Sequence, residues 1–241
     1  MSHIVEATFD YAVKNQRYSG LLLRAPNTAP KAAIALLPDW RGQSPLARDH
    51  ASYLVTLGCT VAIADLYGDG FSPDSPDQVG SMVQRLIEHR SQGVTGLAAC
   101  IERLRQEVPA GTPVLCLGYS AGGMIALDYG RSGADIAGII LCSALLKTAA
   151  QGMGTRIRAP VLVLQGTQDQ VSPIETIAAV VTEMDEAGND VRFELYSQTH
   201  HAFDNPEAGT DPHARLVYSP NSARLARLAI AGFLAEVTGR S

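Results

Sequence analysis

The sequence predicts an α/β fold: one domain with a mostly parallel central sheet and helices on both faces. Three observations carry that expectation. Strand-like apolar runs alternate with helical sequence along the chain, the pattern of parallel sheets with helical crossovers. Several of those runs are continuously apolar, as in strands buried on both faces. And one run leads straight into a glycine-rich turn and a helix, Gly118-Tyr119-Ser120-Ala121-Gly122-Gly123.

Taken in order, Ile4–Phe9 and Tyr18–Leu23 read as an N-terminal antiparallel pair. Ala32–Leu37 is a buried strand stopped by Pro38. Leu46–Leu57 is a helix closed by Gly58, since glycine tolerates the left-handed conformation at a helix end. Thr60–Ala64 is a short strand, and the turn formers of Gly68–Pro76 make a loop. Helical sequence follows from about Gln78 to Glu107, with a break near Gly93. Val114–Leu117, Ile136–Cys142 and Val161–Gln165 are further buried strands. Ser172-Pro173-Ile174-Glu175 opens a helix with a capping box and a proline at its first position. Val191–Tyr196 is a strand. The final helix begins near Ser219-Pro220 and places Leu225, Leu228, Ala229, Gly232 and Phe233 on one face. No repeat, linker or long insertion interrupts the series, so residues 1–241 read as a single domain without a large cap.

The composition narrows the function classes. Hydrophobic residues make up 46% and charged residues 18% of the 241, enough for a substantial core. The net charge of −5 and the lack of a basic stripe argue against a nucleic-acid partner. Neither a signal peptide nor a membrane span is expected, which points to a cytoplasmic protein. Cys59, Cys100, Cys116 and Cys142 are isolated in apolar surroundings and read as buried core residues in a reducing compartment. No metal-ligand spacing occurs, so no metal or organic cofactor is expected.

In its strand-turn-helix context, Gly118-Tyr119-Ser120-Ala121-Gly122 is a nucleophile elbow. The turn strains the serine backbone and lifts its hydroxyl above the sheet, while small neighbours let strand and helix approach. A serine hydroxyl needs an adjacent base, and the base an orienting acid. With the chain order Ser, acid, His, Asp169 after Val161–Gln165 is the candidate acid, and His201 after Val191–Tyr196 the candidate base. His200 is the rival base. Glu175 is a rival acid, but the capping box already explains it. His3, His50, His89 and His213 read as surface or core histidines. The oxyanion donors are the backbone N–H of Ala121 and one from the loop Pro38-Asp39-Trp40-Arg41-Gly42, with Trp40 the candidate.

Those segments, together with Asp65-Leu66-Tyr67-Gly68, Arg131-Ser132-Gly133-Ala134, His201-Ala202-Phe203 and Tyr218-Ser219-Pro220, resemble the dienelactone hydrolase family from about Gly20 to Val237. The resemblance implies a single-domain α/β-hydrolase that cleaves small esters or lactones through an acyl-enzyme. It assigns Ser120, Asp169 and His201 as nucleophile, acid and base, and its His-Ala-Phe segment selects His201 over His200. Two departures stand out. The family prototype carries cysteine where this chain has Ser120, and glutamate where it has Asp39. Serine leans harder on its base than a thiol does. Asp39 is left with three readings: a substrate contact, an orienter of its loop, or an ordinary turn residue. The prototype also clamps a substrate carboxylate with arginines. Here Arg41, Arg85 and Arg90 are the candidate anion contacts, though each also reads as a solvated charge, and Tyr119 and Phe203 complete the candidate substrate contacts.

The expected function is therefore hydrolysis of a small ester, lactone or thioester by a monomer or homodimer. Two alternatives stay open: cyclisation or thioester release by the same residues, and a non-catalytic ligand-binding protein on the same fold. The loops 68–76 and 204–217 are expected to flank the site, as fixed walls or as a small lid.

Overall fold

The computed structural model describes residues 4–73, 76–150 and 153–239. His3 and the loop residues Asp74 and Ser75 lie outside the described residues. Eight strands form one sheet in the order β1-β2-β4-β3-β5-β6-β7-β8. β1 (Val5–Val13) and β2 (Gln16–Arg24) form an antiparallel hairpin closed by Lys14 and Asn15, with Lys14 at φ 52°. β2 also pairs antiparallel with β4 (Cys59–Ile63). From there the sheet is parallel through β3 (Ala32–Leu37), β5 (Val114–Tyr119), β6 (Gly138–Ala144), β7 (Val161–Gly166) and β8 (Val191–Tyr196).

Two apolar layers enclose the sheet. Ile34, Leu36, Leu115, Leu117, Ile140, Leu162 and Leu164 point to one side, where α1 (Pro45–Thr56) and α6 (Pro220–Thr238) cover them. Ala33, Ala35, Leu37, Cys116, Ile139, Leu141, Val161 and Val163 point to the other. That face is covered by α3 (Arg90–Arg105), α4 (Ser120–Arg131) and α5 (Ile174–Glu186). The alternation is the two-residue period of a strand, with both faces apolar because both are covered. Each fully buried Leu or Ile contributes about 1.5–3 kcal/mol from its removal from water. All four cysteines are free and buried in these layers. No helix among the described residues is long and apolar enough to cross a membrane.

Three local expectations are corrected. The helical stretch before β5 breaks at His89, between α2 (Pro76–Glu88) and α3, and runs unbroken through Gly93. A Cβ on Gly93 would meet Ile125 Cδ1 at 2.5 Å, so this glycine permits the close approach of α3 to α4 rather than ending a helix. The capping box of α5 does not form. The Ser172 hydroxyl instead donates to Ala144 O at 2.9 Å and accepts from Leu146 N at 2.8 Å, and Pro173 takes the cap position without a side-chain cap bond. Helix α6 does begin at Ser219, whose hydroxyl accepts from Ser222 N, but its buried face is Ser222, Ala226, Ile230, Phe233, Leu234 and Val237. Leu225 and Leu228 are exposed. The helix presents its small residues Ser222 and Ala226 inward near its N-terminus, and Ser222 Oγ meets Thr199 Oγ1 at 2.9 Å.

Candidate active site

The carboxyl ends of β5, β6, β7 and β8 converge on one edge of the sheet, where parallel α/β sheets hold their sites. Ser120 follows β5 and begins α4 with φ 46°, a left-handed conformation that costs an L-residue on the order of 1–3 kcal/mol. The surrounding glycines are what make that turn possible. A Cβ on Gly122 would sit 2.5 Å from the carbonyl oxygens of Leu37 and Pro38, and one on Gly118 would sit 2.6 Å from Gly123 Cα. These contacts are with backbone, which cannot move aside.

His201 and Asp169 complete a continuous hydrogen-bonded chain. Ser120 Oγ lies 3.0 Å from His201 Nε2, and His201 Nδ1 lies 2.7 Å from Asp169 Oδ2. A carboxylate only accepts, so Nδ1 carries the proton and Nε2 is left to accept from the serine hydroxyl. The two side chains are nearly sealed from solvent. The Asp169 carboxylate takes two backbone donors at Oδ1, Val171 N at 2.7 Å and Ser172 N at 2.9 Å. Its Oδ2 takes Gln165 Nε2 at 2.6 Å besides the imidazole. His201 is held from its C-terminal side, where Ala202 adopts φ 58° and donates its N–H to Ser143 Oγ at 2.7 Å. It is His201, not His200, whose ring reaches Ser120. Glu175 lies exposed on the first turn of α5.

Ser120 and His201 open onto a cavity of about 460 Å³. Val79, Val83 and Ile87 of α2 form one apolar wall, and Leu145, Val171 and Leu216 form others. Asp39, Trp40 and Asp204 border it, with Lys147 and Arg215 exposed at its rim.

A family model for the dienelactone hydrolase family matches residues 19–238. The chain belongs to the dienelactone hydrolase family. Among solved structures it is similar to a protein described as m3DLH, with 28% identity and a TM-score of 0.90 over 97% of this chain and 98% of that one. A dienelactone hydrolase-like promiscuous phosphotriesterase from metagenomic libraries shares 24% identity, with a TM-score of 0.89 over 97% of this chain and 98% of that one. A dienelactone hydrolase from Klebsiella pneumoniae, described as putative, shares the fold at 18% identity and a TM-score of 0.80, over 97% of this chain and 99% of that one. No curated protein matches the chain. Family and fold together support an ester-cleaving hydrolase.

The remaining residues expected at the family's site are placed as follows. Trp40 lines the cavity, and its carbonyl accepts from Tyr67 Oη at 2.8 Å. Asp39 shapes its own loop: Oδ1 accepts from Arg41 N at 2.9 Å, and Oδ2 accepts from Arg41 Nη2 at 2.7 Å. Arg41 continues to Glu207 Oε2 at 2.6 Å. Burial disfavours its cation, but the hydrogen bonds and charge of Asp39, with Glu207 behind them, outweigh that and raise its pKa. Arg41 is thus committed to carboxylates of the protein itself. Arg90 is committed too, to Asp128 at 2.5 and 2.6 Å, a carboxylate that buried Arg131 also holds at 2.9 Å. Arg85 is exposed and faces a separate cavity beside Tyr18. None of the three arginines lines the Ser120 cavity, because each is drawn to another charge or another face of α2 and α3.

Tyr119 borders the cavity but is itself buried, stacked on His50 at 4.1 Å. Phe203, expected among the substrate contacts, does not line the cavity. It is fully buried and packs edge-on against Tyr196 at 5.5 Å. Of the two loops expected to flank the site, 204–217 does so through Asp204, Asn205, Arg215 and Leu216. The described part of 68–76 does not: Ser72 packs against Gly42, and the wall expected there is α2. Sequence reasoning passed over Gln165, Ser143 and Asp204. The one legible signal was Gln165, an amide at the end of the otherwise apolar run Val161–Leu164.

Proposed function

We propose that the protein hydrolyses small esters, lactones or thioesters through an acyl-enzyme on Ser120. The observation that carries the reading is the unbroken chain from Ser120 Oγ through His201 to Asp169, opening on a largely apolar cavity. A cavity of about 460 Å³ falls in the range that holds small ligands.

In the first half-reaction Ser120 Oγ bonds to the carbonyl carbon while His201 Nε2 takes its proton. The carbonyl π electrons move onto oxygen. Asp169 keeps the imidazole in the productive tautomer and stabilises its cation. Backbone N–H groups of Ala121 and Trp40 receive the oxyanion. The close packing of Gly122 on the carbonyls of Leu37 and Pro38 supports that pairing, since it seats the loop of Trp40 beside the start of α4. The positive end of the α4 dipole favours the same charge. The tetrahedral adduct then expels its alkoxide or thiolate, which takes the proton from His201. In the second half-reaction His201 takes a proton from water as its oxygen adds to the acyl carbon, and the adduct then expels Ser120 Oγ, which takes that proton back from His201 Nε2.

Mixing the protein with excess p-nitrophenyl acetate tests the acyl-enzyme. The reading expects a burst of p-nitrophenol stoichiometric with protein, and the loss of both burst and turnover in Ser120→Ala. Turnover that survives in Ser120→Ala contradicts it.

A further inference from the structure

The last paired residues of β6 and β7 are Cys142 and Leu164. Past that pair β6 turns sharply, with Ser143 at φ 46°, and the backbone groups of Ala144 lose a strand partner on the β7 side. The Gln165 side chain replaces it. Its Oε1 accepts from Ala144 N at 3.1 Å, and its Nε2 donates to Ala144 O at 3.2 Å. The same Nε2 donates its other hydrogen to Asp169 Oδ2 at 2.6 Å. Gln165 is completely buried. Only one amide orientation fits, because the oxygen faces an N–H while the nitrogen faces two acceptors.

Ala144 is also tied to the serine. It forms a parallel bridge with Ser120, and Leu145 N donates to Ser120 O at 2.8 Å. The Gln165 amide therefore links the strand end that holds the Ser120 backbone to the carboxylate that holds His201. Asp169 Oδ2 has two charge-assisted donors, and Gln165 occupies one side of that oxygen. The side left over is where His201 Nδ1 sits.

Building on the reading of Ser120, His201 and Asp169 given above, we propose that Gln165 is the positioning residue of the site: its buried amide fixes the rotation of the Asp169 carboxylate against the end of β6, and so fixes the His201 imidazole against Ser120. Gln165 does not line the cavity, so its loss acts on kcat and leaves KM for a small ester unchanged. Gln165→Leu keeps the shape and removes both amide functions. Loss of a hydrogen bond to a buried charge predicts a kcat lower by on the order of 10- to 100-fold.

Gln165→Glu distinguishes positioning from packing. It sets a second carboxylate against Asp169, and the repulsion between two carboxylates in contact delays the second ionisation to higher pH. At alkaline pH both are charged and the carboxylate of Asp169 is driven away. As pH falls one proton is shared between them, and the hydrogen bond to Oδ2 returns.

The experiment measures kcat and KM for p-nitrophenyl acetate from pH 8.5 to 6 in the native chain, Gln165→Leu, Gln165→Glu and Ser120→Ala, with circular dichroism to establish folding. The expected result is a kcat deficit at unchanged KM in Gln165→Leu, and a deficit in Gln165→Glu, relative to the native chain, that narrows as pH falls. If Gln165→Leu does not fold, the pH dependence of Gln165→Glu decides. A Gln165→Glu deficit that is absent or constant with pH overturns the inference, as does a folded Gln165→Leu with native kcat. Those outcomes leave the reading of Ser120 intact when Ser120→Ala is inactive. A Ser120→Ala variant as fast as the native chain removes that reading, and the inference with it.

Discussion

The described residues hold two largely buried histidine–aspartate pairs, and they do different things. His201 and Asp169 meet at 2.7 Å, and the carboxylate is clamped by Val171 N, Ser172 N and Gln165 Nε2 as well as by the imidazole. His50 and Asp204 meet at 3.3 Å, with the His50 ring stacked on Tyr119. Burial, with help from Arg227 and Arg41, pushes the His50 pKa down to about 3. Burial pushes Asp204 up to about 6, against the pull of its own backbone N–H. Near neutral pH His50 is thus an uncharged imidazole packed in a wall. Residue type does not separate the two pairs; the donors aimed at the carboxylate do. Four donors converge on the Asp169 carboxylate, whereas at Asp204 burial outweighs the backbone hydrogen bond and displaces the group toward its neutral form.

The strongest way to break this contrast is Asp169→Asn. The amide no longer demands Nδ1–H, so the wrong tautomer of His201 faces Ser120. We expect kcat to fall by about 10³- to 10⁴-fold, while His50→Gln stays within the same order of magnitude as the native chain. Steady-state rates on p-nitrophenyl acetate check both, and comparable losses in the two variants would erase the distinction.

Next in size is Gly122→Ala. The added methyl meets the Leu37 and Pro38 carbonyls at 2.5 Å, so the elbow must open or the fold must loosen. A loss of about 3–5 kcal/mol is expected, read as a lower urea midpoint.

The pH dependence of stability sharpens the comparison from the other pair. His50 falls from 6.5 unfolded to about 3 folded, so its contribution is present above 6.5 and is lost as pH falls toward 3. Asp204 rises from 3.8 to about 6, so its contribution is present below 3.8 and is lost as pH rises through 6. Melting temperatures between pH 6.5 and 4 should decline less steeply on acidification in His50→Gln than in the native chain, and more steeply in Asp204→Asn. Matching slopes in all three would show that neither group titrates as its burial dictates.

The smallest effect is expected at Arg41. Its partner Glu207 is 71% exposed, so Glu207→Ala should cost less than about 1 kcal/mol. The more buried Asp39–Arg41 pair keeps the loop in place.

The sheet was legible where strands buried on both faces must be apolar throughout: Ala32–Leu37 matches the observed β3 in every residue. Val191–Tyr196, in which Arg192 and Glu194 alternate with apolar residues, matches the edge strand β8. The register of α6 was not. Leu225 and Leu228 look like core residues by hydropathy, but the helix is turned so that Ser222, Ala226 and Ile230 face inward and both leucines face solvent. At the site, chain order pointed to the residues that the fold brings into contact. The arginines misled, because a sequence does not disclose that Asp39 and Asp128 will claim Arg41 and Arg90. The wall formed by α2 was equally hidden, since Val79, Val83 and Ile87 carry the same helical spacing as a core face. Gln165 was in plain view but read as the end of a strand; its meaning depends on where β6 turns.

Intact-protein mass after exposure to a fluorophosphonate tests whether Ser120 is an activated nucleophile. One adduct is expected on the native chain and none on Ser120→Ala. A folded native chain that takes no adduct, or a Ser120→Ala variant labelled as readily, would contradict it.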